Sequence, residues 1–218
     1  MTTELKDKTF WNKFQNFSLT YRLKAHMQPL TSCAFNKSGE SFITGSYDNT
    51  CKVWDTYTGD LMFNLKGHKK TVFCLSFSPV QGEKIATGSC DKTVKLWSAE
   101  NGECLNTLRG HQAEVVCLKF HPEGFLLCTG SMDNSIKLWD LETGKEYLSL
   151  LKHAAEVMSV EFSSEGDSVV SSSFDNTAKV WDLRTGECVR EYSEHTGELT
   201  NATMSFGGEY IATSSLDK

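Results

Sequence analysis

A basic face, a long apolar run and paired cysteines are all missing from this 218-residue sequence. The net charge is -6 at pH 7, which disfavours broad binding to nucleic acid or to an anionic membrane, because such binding needs clustered Lys and Arg. No apolar run approaches the roughly 18 residues that cross a bilayer, and residues 1–14 lack the apolar core of a signal peptide. We therefore expect a cytoplasmic protein.

The eight cysteines include no CxxC pair, although such spacing is typical of zinc sites. Several lie among apolar residues that read as strands, such as Cys74 in TVFCLSF and Cys128 in FLLCTG. We interpret them as free thiols that pack as small apolar side chains in a reducing compartment. HExxH and a glycine-rich phosphate loop ahead of a helix are also missing, so neither a metal nor a cofactor is expected.

The sequence does contain one motif that is repeated along its length. TGSYDNTCKVWDTYTG, which starts at Thr44, returns with small changes from Thr87, Thr129 and Ser171, and TSSLDK starts a fifth copy at Thr213. Tryptophan recurs every 42 or 43 residues, at Trp54, Trp97, Trp139 and Trp181. Aspartate precedes each Trp by six residues, with a fifth copy in register: Asp48, Asp91, Asp133, Asp175 and Asp217. Histidine precedes each Asp by 22 or 23 residues: His26, His68, His111, His153 and His195.

Each repeat predicts four short strands, as in EVVCLKF, FLLCTGS, SIKLWD and EYLSLLKH of the third. A unit of about forty residues with His, Asp and Trp in register resembles the WD40 repeat. The resemblance covers residues 17–218. It implies an all-β propeller of four complete blades and an incomplete fifth, as an open arc of a larger propeller. Residues 1–16 would form a separate segment, with Phe10, Trp11, Phe14 and Phe17 at helical spacing. A lone strand near residues 18–23 and a second strand of the fifth unit near residues 210–214 would leave edges unpaired, so self-association is expected there.

The repeated His, Asp and Trp are interpreted as structural, and no catalytic residue is predicted. An active site needs one asymmetric constellation, whereas this sequence offers five equivalent ones. We expect each Asp to accept a hydrogen bond from its His ring, the ring to pair with a strand Ser or Thr, and that hydroxyl to reach the Trp indole. His121 lies outside the series in the turn HPEG and is expected to be solvated.

The WD40 resemblance also places two sets of residues on the narrow face around the central channel. The residue just before each turn Asp gives Tyr47, Cys90, Met132, Phe174 and Leu216, and the residue three after each His gives Pro29, Thr71, Glu114, Glu156 and Glu198. Apolar residues are unexpected beside a turn, so the candidate partner-binding residues are Tyr47, Met132, Phe174 and Leu216 of the first set, with the three glutamates. The alternative is ordinary solvated glutamates beside apolar side chains that neighbouring blades partly bury.

Three longer stretches resemble a narrower group, the dynein assembly factors with WD repeats. They are LKAHMQPLTSCAFNKSGESFITGSYDNTCKVWDT, GEKIATGSCDKTVKLWSAENGEC and LRGHQAEVVCLKFHPEGFLLCTGSMDNSIKLWD. This resemblance implies a non-enzymatic cargo adaptor that links outer-arm dynein to intraflagellar transport, located in the cytoplasm, the cilium or flagellum and the basal body. The alternative is a generic WD40 scaffold of a ubiquitin ligase or signalling complex. A phosphopeptide reader would need Arg or Lys where this sequence has Glu.

Overall fold

The computed structural model of the chain describes residues 22–80 and 84–217. Within those ranges the regular elements are β-strands, and each sheet is an antiparallel meander whose strands follow chain order. The first sheet contains β1 (Leu30–Phe35), β2 (Ser41–Ser46), β3 (Thr50–Asp55) and β4 (Leu61–Lys66). The second contains β5 (Val72–Phe77), β6 (Lys84–Ser89), β7 (Thr93–Ser98) and β8 (Cys104–Arg109). The third contains β9 (Val115–Phe120), β10 (Leu126–Ser131), β11 (Ile136–Asp140) and β12 (Glu146–Leu150). The fourth contains β13 (Val157–Phe162), β14 (Ser168–Ser173), β15 (Ala178–Asp182) and β16 (Glu187–Tyr192). A two-stranded sheet of β17 (Leu199–Met204) and β18 (Ile211–Ser215) follows.

The predicted all-β fold, with four complete units and an incomplete fifth in the described residues, is confirmed. The predicted segment 1–16 lies outside the described residues, as does most of the lone strand predicted near residues 18–23. Arg22 and Leu23, which are described, do not belong to a strand.

Turn chemistry explains why each meander folds where it does. In the third sheet, Leu127 of β10 pairs with Trp139 of β11, and the turn between the two strands contains Asn134 at φ +66°. Asn tolerates this left-handed conformation better than most residues. At the end of β11, Asp140 accepts hydrogen bonds from two turn amides, and Gly144 at φ +69° completes the hairpin to β12. Alternating strands and polar turns thus set the sheet boundaries.

The hydrophobic core lies between consecutive sheets. Trp139 of the third sheet is buried in one cluster with Leu96 and Leu108 of the second, and Trp181 of the fourth joins Leu138 and Leu150 of the third. Burying each such side chain contributes about 1.5–3 kcal/mol. Residues of the first strands of all five sheets line one shared cavity. In the described part of the chain, no comparable packing joins the first and fifth sheets, so the sheets form an open arc.

Close approach between neighbouring sheets depends on a glycine in the second strand. A Cβ atom on Gly130 would lie 2.5 Å from the Cys117 sulfur and 2.8 Å from a Val157 methyl group of the next sheet. In the fourth sheet serines occupy both equivalent positions, and the hydroxyls of Ser159 and Ser172 lie 2.7 Å apart. Serine in place of cysteine on the first strand therefore makes room for serine in place of glycine on the second strand.

The cysteines are all free thiols, but the predicted burial holds only for some of them. Cys51, Cys74 and Cys128 are buried, whereas Cys33 and Cys104 are exposed. No segment among the described residues forms a helix that is long and apolar enough to cross a bilayer.

Candidate partner-binding face

In the third unit, hydrogen bonds connect four polar side chains from separate parts of the repeat. The Nδ1–H of His111 donates to Asp133 over 2.9 Å, and its Nε2 lies 2.8 Å from the Thr129 hydroxyl. The Trp139 indole N–H donates to the same Thr129 oxygen over 2.9 Å. The same hydroxyl also donates to the Lys137 carbonyl over 3.2 Å. The chain of bonds leaves none of these buried groups unpaired.

The other units repeat this arrangement, which we call the polar network. The His–Asp distances range from 2.7 Å for His26–Asp48 to 3.0 Å for His68–Asp91. The indoles of the first, second and fourth units donate to a strand hydroxyl in the same way. The structure brings together His26, Asp48 and Trp54; His68, Asp91 and Trp97; His111, Asp133 and Trp139; His153, Asp175 and Trp181.

The fifth unit has only part of the polar network. His195 contacts Asp217 at 2.9 Å and Thr213 at 2.8 Å, but the sequence has no tryptophan after Trp181. The His195 side chain is 32% exposed, whereas the equivalent histidines of the other four units are at most 2% exposed. Solvent can therefore reach the network here.

Burial and hydrogen bonding oppose each other in setting the pKa values of the network. Burial would raise the pKa of Asp91, but hydrogen bonds from Thr93, the Lys69 amide and His68 outweigh it and lower the pKa to about 2. Burial lowers the pKa of His68 and His153 despite their aspartate partners. These two histidines therefore take up a proton at a higher pH in the unfolded chain than in the folded chain. Their contribution to stability is complete above the unfolded pKa of 6.5 and is lost as the pH falls below it.

The network also fixes the turn between the second and third strands. Asp133 accepts from the amide of Ser135 and donates its own amide to the Ser131 hydroxyl. Met132 lies between these anchors and donates its amide to the carbonyl of Glu114 over 2.9 Å. Because the backbone is held on both sides, the side chain at the apex does not enter the core. These turns, with the loops that lead from each His to the first strand, form what we call the upper face.

The predicted apolar set is on this face and is only partly covered. We call Tyr47, Cys90, Met132, Phe174 and Leu216 the apolar ring. Tyr47 is 49%, Met132 37% and Leu216 61% exposed, while Cys90 and Phe174 are half-buried. The Tyr47 ring meets Phe73 of the next unit edge-on, with centroids 6.3 Å apart. Neighbouring units therefore cover part of the ring and leave part of it open to solvent.

The three predicted glutamates lie directly beside the apolar ring. The carbonyls of Glu114, Glu156 and Glu198 accept the amides of Met132, Phe174 and Leu216, at 2.9, 3.0 and 2.9 Å. Glu114 and Glu156 are half-buried and Glu198 is exposed. We call the three the acidic arc. No ion pair or hydrogen bond engages their carboxylates within residues 22–80 and 84–217. Sequence reasoning placed both sets together, but it missed Lys69 and Lys70, which occupy the corresponding loop of the second unit.

The expectation that His121 is solvated is wrong. Its side chain is buried, and Nε2 donates to the carbonyl of Gly166 in the next unit over 3.1 Å. Its Nδ1 accepts the amide of Glu123, and its ring lies 4.1 Å from that of Phe125. Burial lowers the pKa of His121. A signal was present in the sequence, since the other repeats have Asn36, Ser78, Ser163 and Ser205 at this position.

Groups of three or more His, Cys, Asp or Glu side chains that could hold a metal ion do not occur in the part of the chain that the structure describes.

Comparison with known proteins agrees with the repeat. The family model "WD domain, G-beta repeat" matches residues 17–55, 59–98, 102–140, 144–182 and 186–218. The chain is similar to "Dynein assembly factor with WD repeat domains 1" of Xenopus laevis, with 50% identity over 74 residues, or 34% of this chain and 18% of that protein. The Homo sapiens protein of the same name is 49% identical over 74 residues, with the same shares. "Ribosome assembly protein 4" of Chaetomium thermophilum is 45% identical over 62 residues, or 28% of this chain and 12% of that protein. The matched segment thus spans less than a fifth of each relative.

Proposed function

The chain belongs to the WD40-repeat family, and on that premise we propose that it is a non-enzymatic scaffold that binds a protein partner on its upper face. The observation that carries this proposal is the apolar ring. Tyr47, Met132 and Leu216 stay at least one-third exposed although the turns that hold them are rigidly hydrogen-bonded. Exposed apolar side chains ringed by polar groups are typical of protein interfaces.

The same geometry supports a non-catalytic role for the polar network. In the third unit both ring nitrogens of His111 are engaged, and the Thr129 hydroxyl already accepts from an indole. A nucleophile needs a hydroxyl that is open to substrate and paired with a free base, and this arrangement offers neither. We expect no hydrolase or transferase activity, and loss of the His111 ring should reduce folding rather than any turnover.

Within the class of scaffolds, we propose a cargo adaptor that connects outer-arm dynein with intraflagellar transport in the cytoplasm and cilium. The similarity to dynein assembly factors with WD repeats supports this, with about half of the aligned residues identical. The alternative is a WD40 scaffold of another multiprotein complex, such as a ubiquitin ligase.

The test is capture of partners from ciliated-cell extract, with mass spectrometry of the bound proteins. We expect Met132→Ser combined with Phe174→Ser to reduce capture of outer-arm dynein and intraflagellar transport subunits at least about tenfold. The matched control is Leu105→Ser with Val189→Ser, which removes two exposed apolar side chains from outer strands. If both double variants captured the dynein and transport subunits equally well, the upper face would not be the binding site. Capture of ubiquitin-ligase subunits without dynein would favour the alternative.

A further inference from the structure

Charge on the upper face is divided between units. The two residues that follow the network histidine are Lys69 and Lys70 in the second unit. No other unit has a charged residue at either position: the pairs are Met27 and Gln28, Gln112 and Ala113, Ala154 and Ala155, and Thr196 and Gly197. The third, fourth and fifth units instead supply the acidic arc one residue further along. At these positions the second unit is therefore basic, the third to fifth units are acidic and the first unit is uncharged.

Hydrogen bonds fix the two lysines against the apolar ring. The amide of Lys69 donates to Asp91 over 2.8 Å, and the Lys70 carbonyl accepts the Ser89 hydroxyl over 3.0 Å. Cys90, the ring member of this unit, lies between those two contacts in the chain. Burial raises the pKa of its thiol, Glu114 raises it further and Lys70 lowers it, so both charges act on the same part of the ring.

Neither charged sector is neutralised by the chain itself. Lys69 and Lys70 are exposed, and no ion pair engages them in the described ranges. In the acidic arc Glu198 is exposed and Glu114 and Glu156 are half-buried, and no ion pair engages these three side chains in the same ranges either. Opposite charges that flank an apolar surface without pairing with each other favour a ligand that carries the complementary order of charges.

Building on the function proposed above, we propose that the upper face binds a peptide segment with acidic residues at one end, an apolar centre and basic residues at the other. Its acidic end lies over Lys69 and Lys70, its apolar centre fills the ring, and its basic end crosses the acidic arc. The charge order therefore sets the direction in which the partner lies across the face.

The test is selection of short random peptides, displayed on phage, against the immobilised chain. We expect the enriched peptides to carry acidic and basic clusters on opposite sides of apolar residues. Lys69→Glu with Lys70→Glu should lower the affinity of these peptides, measured by fluorescence anisotropy, at least about tenfold. Selection repeated on that variant should yield peptides with basic residues on both sides.

Two exposed lysines in turns at the opposite ends of the strands, Lys37 between β1 and β2 and Lys145 between β11 and β12, provide a control with the same change in net charge. Lys37→Glu with Lys145→Glu should leave the selected peptides unchanged, and circular dichroism checks that each variant is folded. Selected peptides without charge order, or no enrichment over the bare support, overturn the inference. If Lys69→Glu with Lys70→Glu selects unchanged peptides while Met132→Ser with Phe174→Ser selects none, this inference fails and the proposed function stands. If the latter variant selects as the wild type does, the proposed binding face itself is wrong.

Discussion

Replacing Thr129 by valine would remove the central oxygen from the polar network of the third unit and change the shape of the side chain very little. That oxygen accepts the Trp139 indole N–H over 2.9 Å and lies 2.8 Å from Nε2 of His111. Thr129 is 0% and Trp139 2% exposed, so water cannot take the place of the hydroxyl. The substitution leaves one buried donor and one buried ring nitrogen unpaired.

The expected loss of stability follows from those two groups. An unpaired buried polar group costs about 1–3 kcal/mol, and the added methyl group returns less than about 1 kcal/mol. We therefore expect Thr129→Val to lower the free energy of unfolding by about 2–4 kcal/mol. Trp139→Phe, which removes the donor but leaves the hydroxyl bonded to His111, should cost about 1–3 kcal/mol.

The fifth unit supplies a matched control. Thr213 contacts His195 at 2.8 Å but has no indole to accept from, and the His195 side chain is 32% exposed. Thr213→Val should therefore cost less than about 1 kcal/mol, because water can pair with the freed nitrogen. Chemical denaturation measures the loss, and amide hydrogen exchange in β10 and β11 locates it. Equal losses for the two valine variants would refute the view that burial of the completed network stabilises each unit.

Three further predictions concern packing, pH and the contact between the third and fourth sheets. Gly130→Ser should lower the free energy of unfolding by about 1–3 kcal/mol through overpacking. Adding Cys117→Ser to the same chain should recover part of that loss in chemical denaturation. If it recovers none, the fourth sheet tolerates its serine pair for another reason. Lowering the pH from about 7 to about 5 should reduce the free energy of unfolding, because unfolded His68 and His153 bind protons that the folded side chains resist; a flat pH profile would contradict this. His121→Ala should destabilise the chain by about 1–3 kcal/mol and speed amide exchange at residues 163–166, whereas unchanged exchange there would mean that the His121 contact is not stabilising.

The repeated part of the structure was predictable from the sequence because the same constraint acts once per unit. An indole, an imidazole and a carboxylate at fixed spacing need partners when they are buried, and the repeated strand hydroxyl is within reach of two of them. Strand order followed from the turn residues, such as the Asp and Gly that start and end the hairpin between Asp140 and Gly144. The backbone contact between Met132 and Glu114 follows from the same register.

The positions that escaped prediction are those at which one unit departs from the others. His121 occupies a turn position that other repeats fill with Asn or Ser, and its contact with Gly166 depends on how two sheets meet. Contacts between sheets arise from residues about 40 positions apart, so spacing within a unit does not report them.

This division between repeated and unrepeated positions bears on where function lies in the chain. A residue that recurs in every unit, such as the network Asp, satisfies a need of the fold, and its replacement should lower stability in proportion to burial. When one unit carries a different residue at a repeated position and its sheet is unchanged, the fold does not account for that residue. Lys69 and Lys70 belong to this second kind, because they stand where the other units have neutral residues, on an exposed loop whose amide-to-Asp hydrogen bond is the same as in the third, fourth and fifth units. If recognition depends on such departures, variants at Lys69 and Lys70 will alter binding with little change in unfolding free energy, and variants at Thr129 will do the reverse.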